Sequence, residues 1–162
     1  MEQSYIGYLR SMVGDSMVML NSTAVVITNE QNQILLQKRS DNGLWGLPGG
    51  LLELDETIEQ GAIREVKEET NLDIVITRFI GVFVNPLMTW RQTDKAKVFA
   101  FGFVGKVVGG SLDILDDESL ELRYFDIEQM PILHSLDNQN IVETYRNGRY
   151  NSVEGKNYHG NE

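Results

Sequence analysis

The sequence predicts an α/β fold, a mixed β-sheet with helices on both faces. Three observations lead there. Runs of β-branched and apolar residues recur at 23–28 (TAVVIT), 34–38 (ILLQK), 73–84 and 96–108, a composition that favours strands. Between them, Ile58, Ala62 and Val66 repeat every four residues, the stripe of a helix with one buried side. Another helical stretch falls within 131–145, after most of the strands. Strands placed before and after helices call for alternating layers.

The elements follow in order. Tyr5, Ile6, Leu9 and Val13 have helical spacing and Gly14 is a stop; this short helix packs on the domain or on a second subunit. Residues 17–28 are β-rich, 29–32 form a turn, and 34–38 return as a strand, so the pair reads as a hairpin. A polar loop over 40–43 leads to WGLPGG, residues 45–50, with fixed and permissive dihedrals from Pro48 and the glycines. Trp45 is read as a core or shelf residue ahead of a substrate-stacking one. After the helix come one or two strands over 73–84, a polar loop over 85–94 and a long strand over 96–108 broken by Gly109-Gly110. An acidic loop over 113–118 precedes an edge-like strand, 120–125 (LELRYF), and 126–130 is a turn of helix.

The 162 residues suffice for one domain with a real core. The expected organisation is a single domain over 1–146, with 1–15 as a helical extension, and a loosely ordered polar tail over 147–162. No apolar run reaches the ~18 residues of a membrane span. Glu2 and the absence of a basic-then-apolar start give no export signal, and there is no cysteine. A cytoplasmic location is therefore expected. The net charge of −10 opposes general affinity for nucleic-acid backbones. A small phosphorylated substrate is compatible with it if a divalent cation bridges the two.

The chain is organised around residues 49–72, GGLLELDETIEQGAIREVKEETNL. Glu65, Glu68 and Glu69 stand at i, i+3 and i+4, on one helix face. Like charges so placed repel unless a cation sits among them, and oxygen-only ligands suit a hard ion, Mg²⁺ or Mn²⁺. Gly61, one turn before Glu65, is expected to give clearance for a metal or phosphate. Thr57 and Gln60 form a capping box. Asn71 ends the helix where a left-handed residue is needed.

This stretch resembles the Nudix box, Gly-x5-Glu-x7-Arg-Glu-U-x-Glu-Glu-x-Gly-U, with U a bulky aliphatic. Gly50, Glu56, Arg64, Glu65, Val66, Glu68, Glu69 and Leu72 match, and Asn71 stands in place of the motif's second glycine. The segment before it, QKRSDNGLWGLPGG, is similar to the family's lead-in. The resemblance implies an α/β/α sandwich and Mg²⁺-dependent hydrolysis (Mn²⁺ the alternative ion) of a diphosphate linkage. The substrate is then a nucleotide type: a nucleoside diphosphate joined to another group, such as ADP-ribose or a nucleotide sugar, or a nucleoside triphosphate.

The same resemblance implies Glu65, Glu68 and Glu69 as metal ligands, joined by a backbone carbonyl at Gly49 or Gly50. Arg64 would pair with Glu56 and orient the helix. The general base would be Glu68 or Glu118. Substrate contacts are expected from Arg39 and from Trp90 and Arg91, which sit side by side; Trp90 either stacks a base or covers an apolar shelf or dimer contact. The partner is a small-molecule nucleotide, with a homodimer allowed for. Other chemistries find little support: no cysteine, no Gly-x-Ser-x-Gly, no Walker motif, and only His134 and His159. The rival reading is a Nudix domain that senses nucleotides without catalysis, yet such domains usually lose box carboxylates and here all are kept. An isoprenoid-diphosphate isomerase of this fold would need a reactive cysteine.

Overall fold

The computed structural model describes residues 3–90 and 94–157, apart from the Trp90 side chain. The order is α1 Tyr5–Val13, β1 Val18–Ile27, β2 Ile34–Arg39, β3 Trp45–Gly46, α2 Ile58–Thr70, β4 Leu72–Trp90, β5 Asp94–Gly110 and β6 Ser119–Phe125. A 3-10 turn at Ile127–Gln129, α3 Leu136–Arg146 and β7 Ser152–Val153 follow. One sheet runs β1-β5-β4-β7 and the other β3-β2-β6. β1 is parallel to β5, β4 antiparallel to β5, and β7 parallel to β4. The first sheet is therefore mixed, as expected.

Alternation along β1 separates the layers. Val25 and Ile27 cluster with Ala62 and Val66 of α2. Ala24 and Val26, pointing the other way as strand periodicity requires, cluster with Ile141 and Val142 of α3. This two-sided burial is why TAVVIT is apolar at nearly every position. The two helices cover opposite faces, giving the α/β/α arrangement. α1 packs on its own chain, with Tyr5, Ile6 and Leu9 against Leu20, Ala96 and Val98.

Several expectations are corrected. β1 and β2 are not a ladder-forming hairpin: they meet at one bridge, Thr28 to Ile34, and part into different sheets. The edge of β1 is taken instead by residues 48–52, with Val25 N–H donating to Pro48 O (2.9 Å), Thr23 N–H to Gly50 O (2.9 Å) and Leu52 N–H to Asn21 O (3.0 Å). Residues 85–94 are mostly not a loop: β4 runs on to Trp90 and pairs with β5 from Asp94, through bulges that take up the polar residues. The tail is ordered as far as described. Ser152 is 1% exposed, its hydroxyl donates to Ile80 O (3.0 Å), and Gly81 lies close against it for want of a Cβ. Gly61 gives clearance to protein, not to a ligand, since a Cβ there would meet Leu52 Cδ2 at 2.3 Å and Glu56 Oε1 at 2.8 Å.

The ends of α2 are set locally. Thr57 and Gln60 make the reciprocal capping box, and Asn71 closes the helix at φ 61°, ψ 10°, with its N–H donating to Lys67 O. Asn71→Gly is expected to change stability by only a few tenths of a kcal/mol, because relief of the positive φ offsets the lost amide contact to Ser111 O (3.0 Å). Asn71→Val should cost about 1–2 kcal/mol more, the steric penalty of a left-handed β-branched residue. Thermal melts compare the two; equal melting temperatures would refute the account.

Candidate active site

The site begins at the glycine turn docked on β1. Gly49 has φ 151°, and a Cβ there would lie 2.0 Å from Thr23 O. A Cβ on Gly50 would lie 2.6 Å from the Glu65 carboxyl. Only glycines let this backbone sit between β1 and the carboxylates of α2.

Arg64 organises the acids around it. Its Nε and Nη2 grip Glu56 Oε2 and Oε1 at 2.8 and 2.7 Å. Nη1 donates to Glu65 Oε1 (2.9 Å) and Glu68 Oε2 (3.0 Å), and Nη2 also reaches Leu51 O (3.2 Å). The expected Arg64–Glu56 pair is thus present and bidentate, the strong form of such a contact. Glu69 has different company. Its Oε1 accepts from Gln37 Nε2 (2.8 Å) and its Oε2 from Gly49 N–H (2.8 Å), both neutral donors.

Burial sets the electrostatics. It raises the Glu65 carboxyl to about 7 against the pull of Arg64, with Glu68 and Glu118 adding repulsion. It raises Glu69 to about 8, opposed by the Gln37 hydrogen bond and reinforced by Glu65. The half-buried Glu65 and the buried Glu69 are a natural seat for a hard divalent cation, whose charge would bring both back to the ionised form. Among the described residues no three acids or imidazoles converge tightly enough to chelate an ion unaided. Glu65 and Glu69, with backbone carbonyl of the glycine turn, fit as part of a shell completed by water or substrate oxygen.

A stability signature follows. Both groups ionise near 4.5 when exposed and at higher pH when folded. Between about pH 5 and 8 the unfolded chain lacks protons that the folded carboxyls keep, so metal-free stability should fall across that window, less steeply below about pH 6.5 where His134, neutral in the fold, acts in the opposite sense, and level off above it. Melting scans in chelator test this, and Glu69→Gln should remove part of the slope. A melting temperature that holds or rises from pH 5 to 8 would show that both acids ionise freely.

A cleft of about 520 Å³ collects these groups. Gly49, Gly50, Glu65, Glu69, Arg39 and Glu118 all line it. The structure therefore brings six of the sequence-predicted residues together. Glu68 does not line the cleft; its side chain is 54% exposed and paired with Arg64. Arg91 and the Trp90 side chain lie outside the described residues. Arg39 is held bidentately by Asp41 (2.9 and 2.8 Å), within the field of Glu69 and Glu118.

Sequence reasoning missed the polar lining. Gln37, His134, Asp137 and Asn138 face the same cleft. Burial and the Arg39 charge push His134 down to about 4, so it is neutral at pH 7. Asp137 accepts from Asn85 Nδ2 and Asn138 Nδ2 (both 3.2 Å), and Asn138 Oδ1 accepts from Leu47 N–H (2.7 Å). One signal was available: Gln37 breaks the apolar run ILLQK at a position that proves 2% exposed.

Comparison with known proteins bears on this geometry. The model of the NUDIX domain family matches residues 19–146. The chain is 35% identical over 122 residues to an ADP-ribose pyrophosphatase of Methanocaldococcus jannaschii, covering 74% of this chain and 69% of that one. It is 31% identical over 124 residues to a Bacillus subtilis protein provisionally named an 8-oxo-dGTP diphosphatase, covering 76% and 78%. Among solved structures, a MutT protein from Methanosarcina mazei superposes with a TM-score of 0.68 at 28% identity, covering 82% of this chain and 96% of that one.

Proposed function

This chain belongs to the NUDIX domain family and is a pyrophosphohydrolase of that family, and we propose that it uses Mg²⁺, with Mn²⁺ as substitute, to hydrolyse the diphosphate of a nucleoside diphosphate joined to a second group. ADP-ribose and nucleotide sugars are the first substrates to test, since a relative 35% identical carries the name ADP-ribose pyrophosphatase; nucleoside triphosphates are the second class. The observation that carries this reading is the pair of carboxylates, half-buried Glu65 and buried Glu69, set against the Gly49–Gly50 turn in one cleft.

Each residue then has a part. Glu65 and Glu69 would hold a divalent ion with a carbonyl of Gly49 or Gly50, joined by Glu68, and such an ion would supply charge neutralisation for the diphosphate and a more acidic water. Glu118 is the favoured base because it lines the cleft, with Glu68 the alternative. It takes the proton as the water oxygen bonds to one phosphorus and the bridging P–O bond breaks, leaving two phosphate-bearing products. Arg39 meets the substrate phosphates, in competition with Asp41. Trp90 and Arg91 contact the nucleoside.

The test is a panel of ADP-ribose, nucleotide sugars and nucleoside triphosphates, scored for phosphate-bearing products with and without Mg²⁺. Turnover that needs Mg²⁺ and favours the first two classes is expected. Metal-independent turnover, or none on any member, would sink the proposal.

A further inference from the structure

Gln37 and Ser119 have no place in the reaction just described, yet the fold spends two buried polar side chains on them. Gln37 lies in β2, the middle strand of the three-stranded sheet, beside the fully buried Leu35 and Leu36. Ser119 opens β6 and is 6% exposed. Strand formation asks for neither: an apolar side chain would suit both sites, and a buried amide weakens a strand core unless its polar ends are partnered. Both ends are. The Ser119 hydroxyl donates to Gln37 Oε1 (2.6 Å), which turns the amide so that its Nε2 donates to Glu69 Oε1 (2.8 Å). With Gly49 N–H on Oε2, each Glu69 oxygen accepts one fixed donor. A carboxylate oxygen has two acceptor sites, so one remains on each for the cleft.

The chain also spans three elements, α2, β2 and β6. It ends on the residue after Glu118, whose carbonyl accepts from Ser40 N–H (2.8 Å). Glu69 is thereby tied by two side-chain hydrogen bonds to Ser119, the neighbour of Glu118 in the chain. Groups that orient a ligand from behind commonly govern its metal affinity.

We propose that Ser119 and Gln37 are positioning residues that hold the Glu69 carboxylate in its metal-ready orientation and couple it to the start of β6. The proposal rests on the reading of Glu69 as a metal ligand. Its test is Mn²⁺ binding to the metal-free full chain, followed by the electron paramagnetic resonance of free Mn²⁺, together with the Mg²⁺ dependence of kcat. Gln37→Leu and Ser119→Ala are each expected to weaken Mn²⁺ binding by about 10–100-fold. KM for the nucleotide at saturating metal should change little, and Ser119→Thr, which keeps the hydroxyl, should restore affinity. The double variant should be no weaker than Gln37→Leu alone, because both act through one carboxylate. Wild-type Mn²⁺ affinity in Ser119→Ala and Gln37→Leu, alongside weak binding in Glu69→Gln, would overturn the positioning role and leave Glu69 a ligand. Fully additive losses in the double variant would overturn the relay. Wild-type affinity in Glu69→Gln would overturn the ligand reading and this proposal with it. If Gln37→Leu does not fold, the comparison of Ser119→Ala with Ser119→Thr decides.

Discussion

Glu69→Gln is expected to lower kcat by ~10²–10³-fold, the scale of losing one preorganised electrostatic contact in a closed site. The substitution is nearly isosteric and removes only the charge. Glu69 is 4% exposed, and its partners, Gln37 and Gly49 N–H, carry no charge that would be orphaned. The fold should therefore survive, at the cost of about one hydrogen bond, ~1 kcal/mol, since an amide offers one acceptor where a carboxylate offers two. The informative result is dissociation of the two readouts: turnover nearly lost, melting temperature nearly kept. Steady-state kinetics at raised Mg²⁺ should recover part of the rate if the loss is in metal binding. Near wild-type kcat would make Glu69 a buried structural acid.

Arg64→Ala should give the largest loss of stability of any single change in the site, roughly 2–3 kcal/mol. That lies between the small value of an exposed ion pair and the 3–5 kcal/mol of breaking a buried one, as befits a guanidinium 29% exposed. Glu56, with its side chain 12% exposed, loses both guanidinium donors and keeps the Glu53 N–H (2.9 Å). Glu65 and Glu68 lose the cation between them and repel along the helix. For a chain of this length the melting temperature should fall by about 4–12 °C. Arg64→Lys should rescue little, because an ammonium cannot grip Glu56 with two parallel bonds. Mg²⁺ should restore part of the lost stability in Arg64→Ala by mass action on the folded state. A melting temperature within a degree of wild type would show the clamp to be ornamental.

Much of this was written locally in the chain. The capping box of Thr57 and Gln60, the left-handed Asn71 and the i, i+3, i+4 acids need only neighbours within a turn or two, so residues 49–72 announce both the helix and its acidic face. The Arg64–Glu56 pair was implied only by the resemblance to the Nudix box, since Glu56 precedes the helix. The apolar TAVVIT run likewise foretold a strand, while the cover on both its faces came from the packing of α2 and α3. What tertiary structure alone decided is non-local pairing and burial. β1 chose β5, more than seventy residues on, and the Pro48–Gly50 turn over the adjacent β2, because residues 48–52 saturate its other edge. The three acids share one face of a helical wheel, yet Glu69 is buried and neutral-partnered while Glu68 stays exposed. That difference comes from Gln37, 32 residues away, and from Ser119, 82 residues from Gln37. Spacing along one helix fixes which side chains share a face; only packing against distant strands fixes which of them leave water, and with it which carboxylates have a raised pKa.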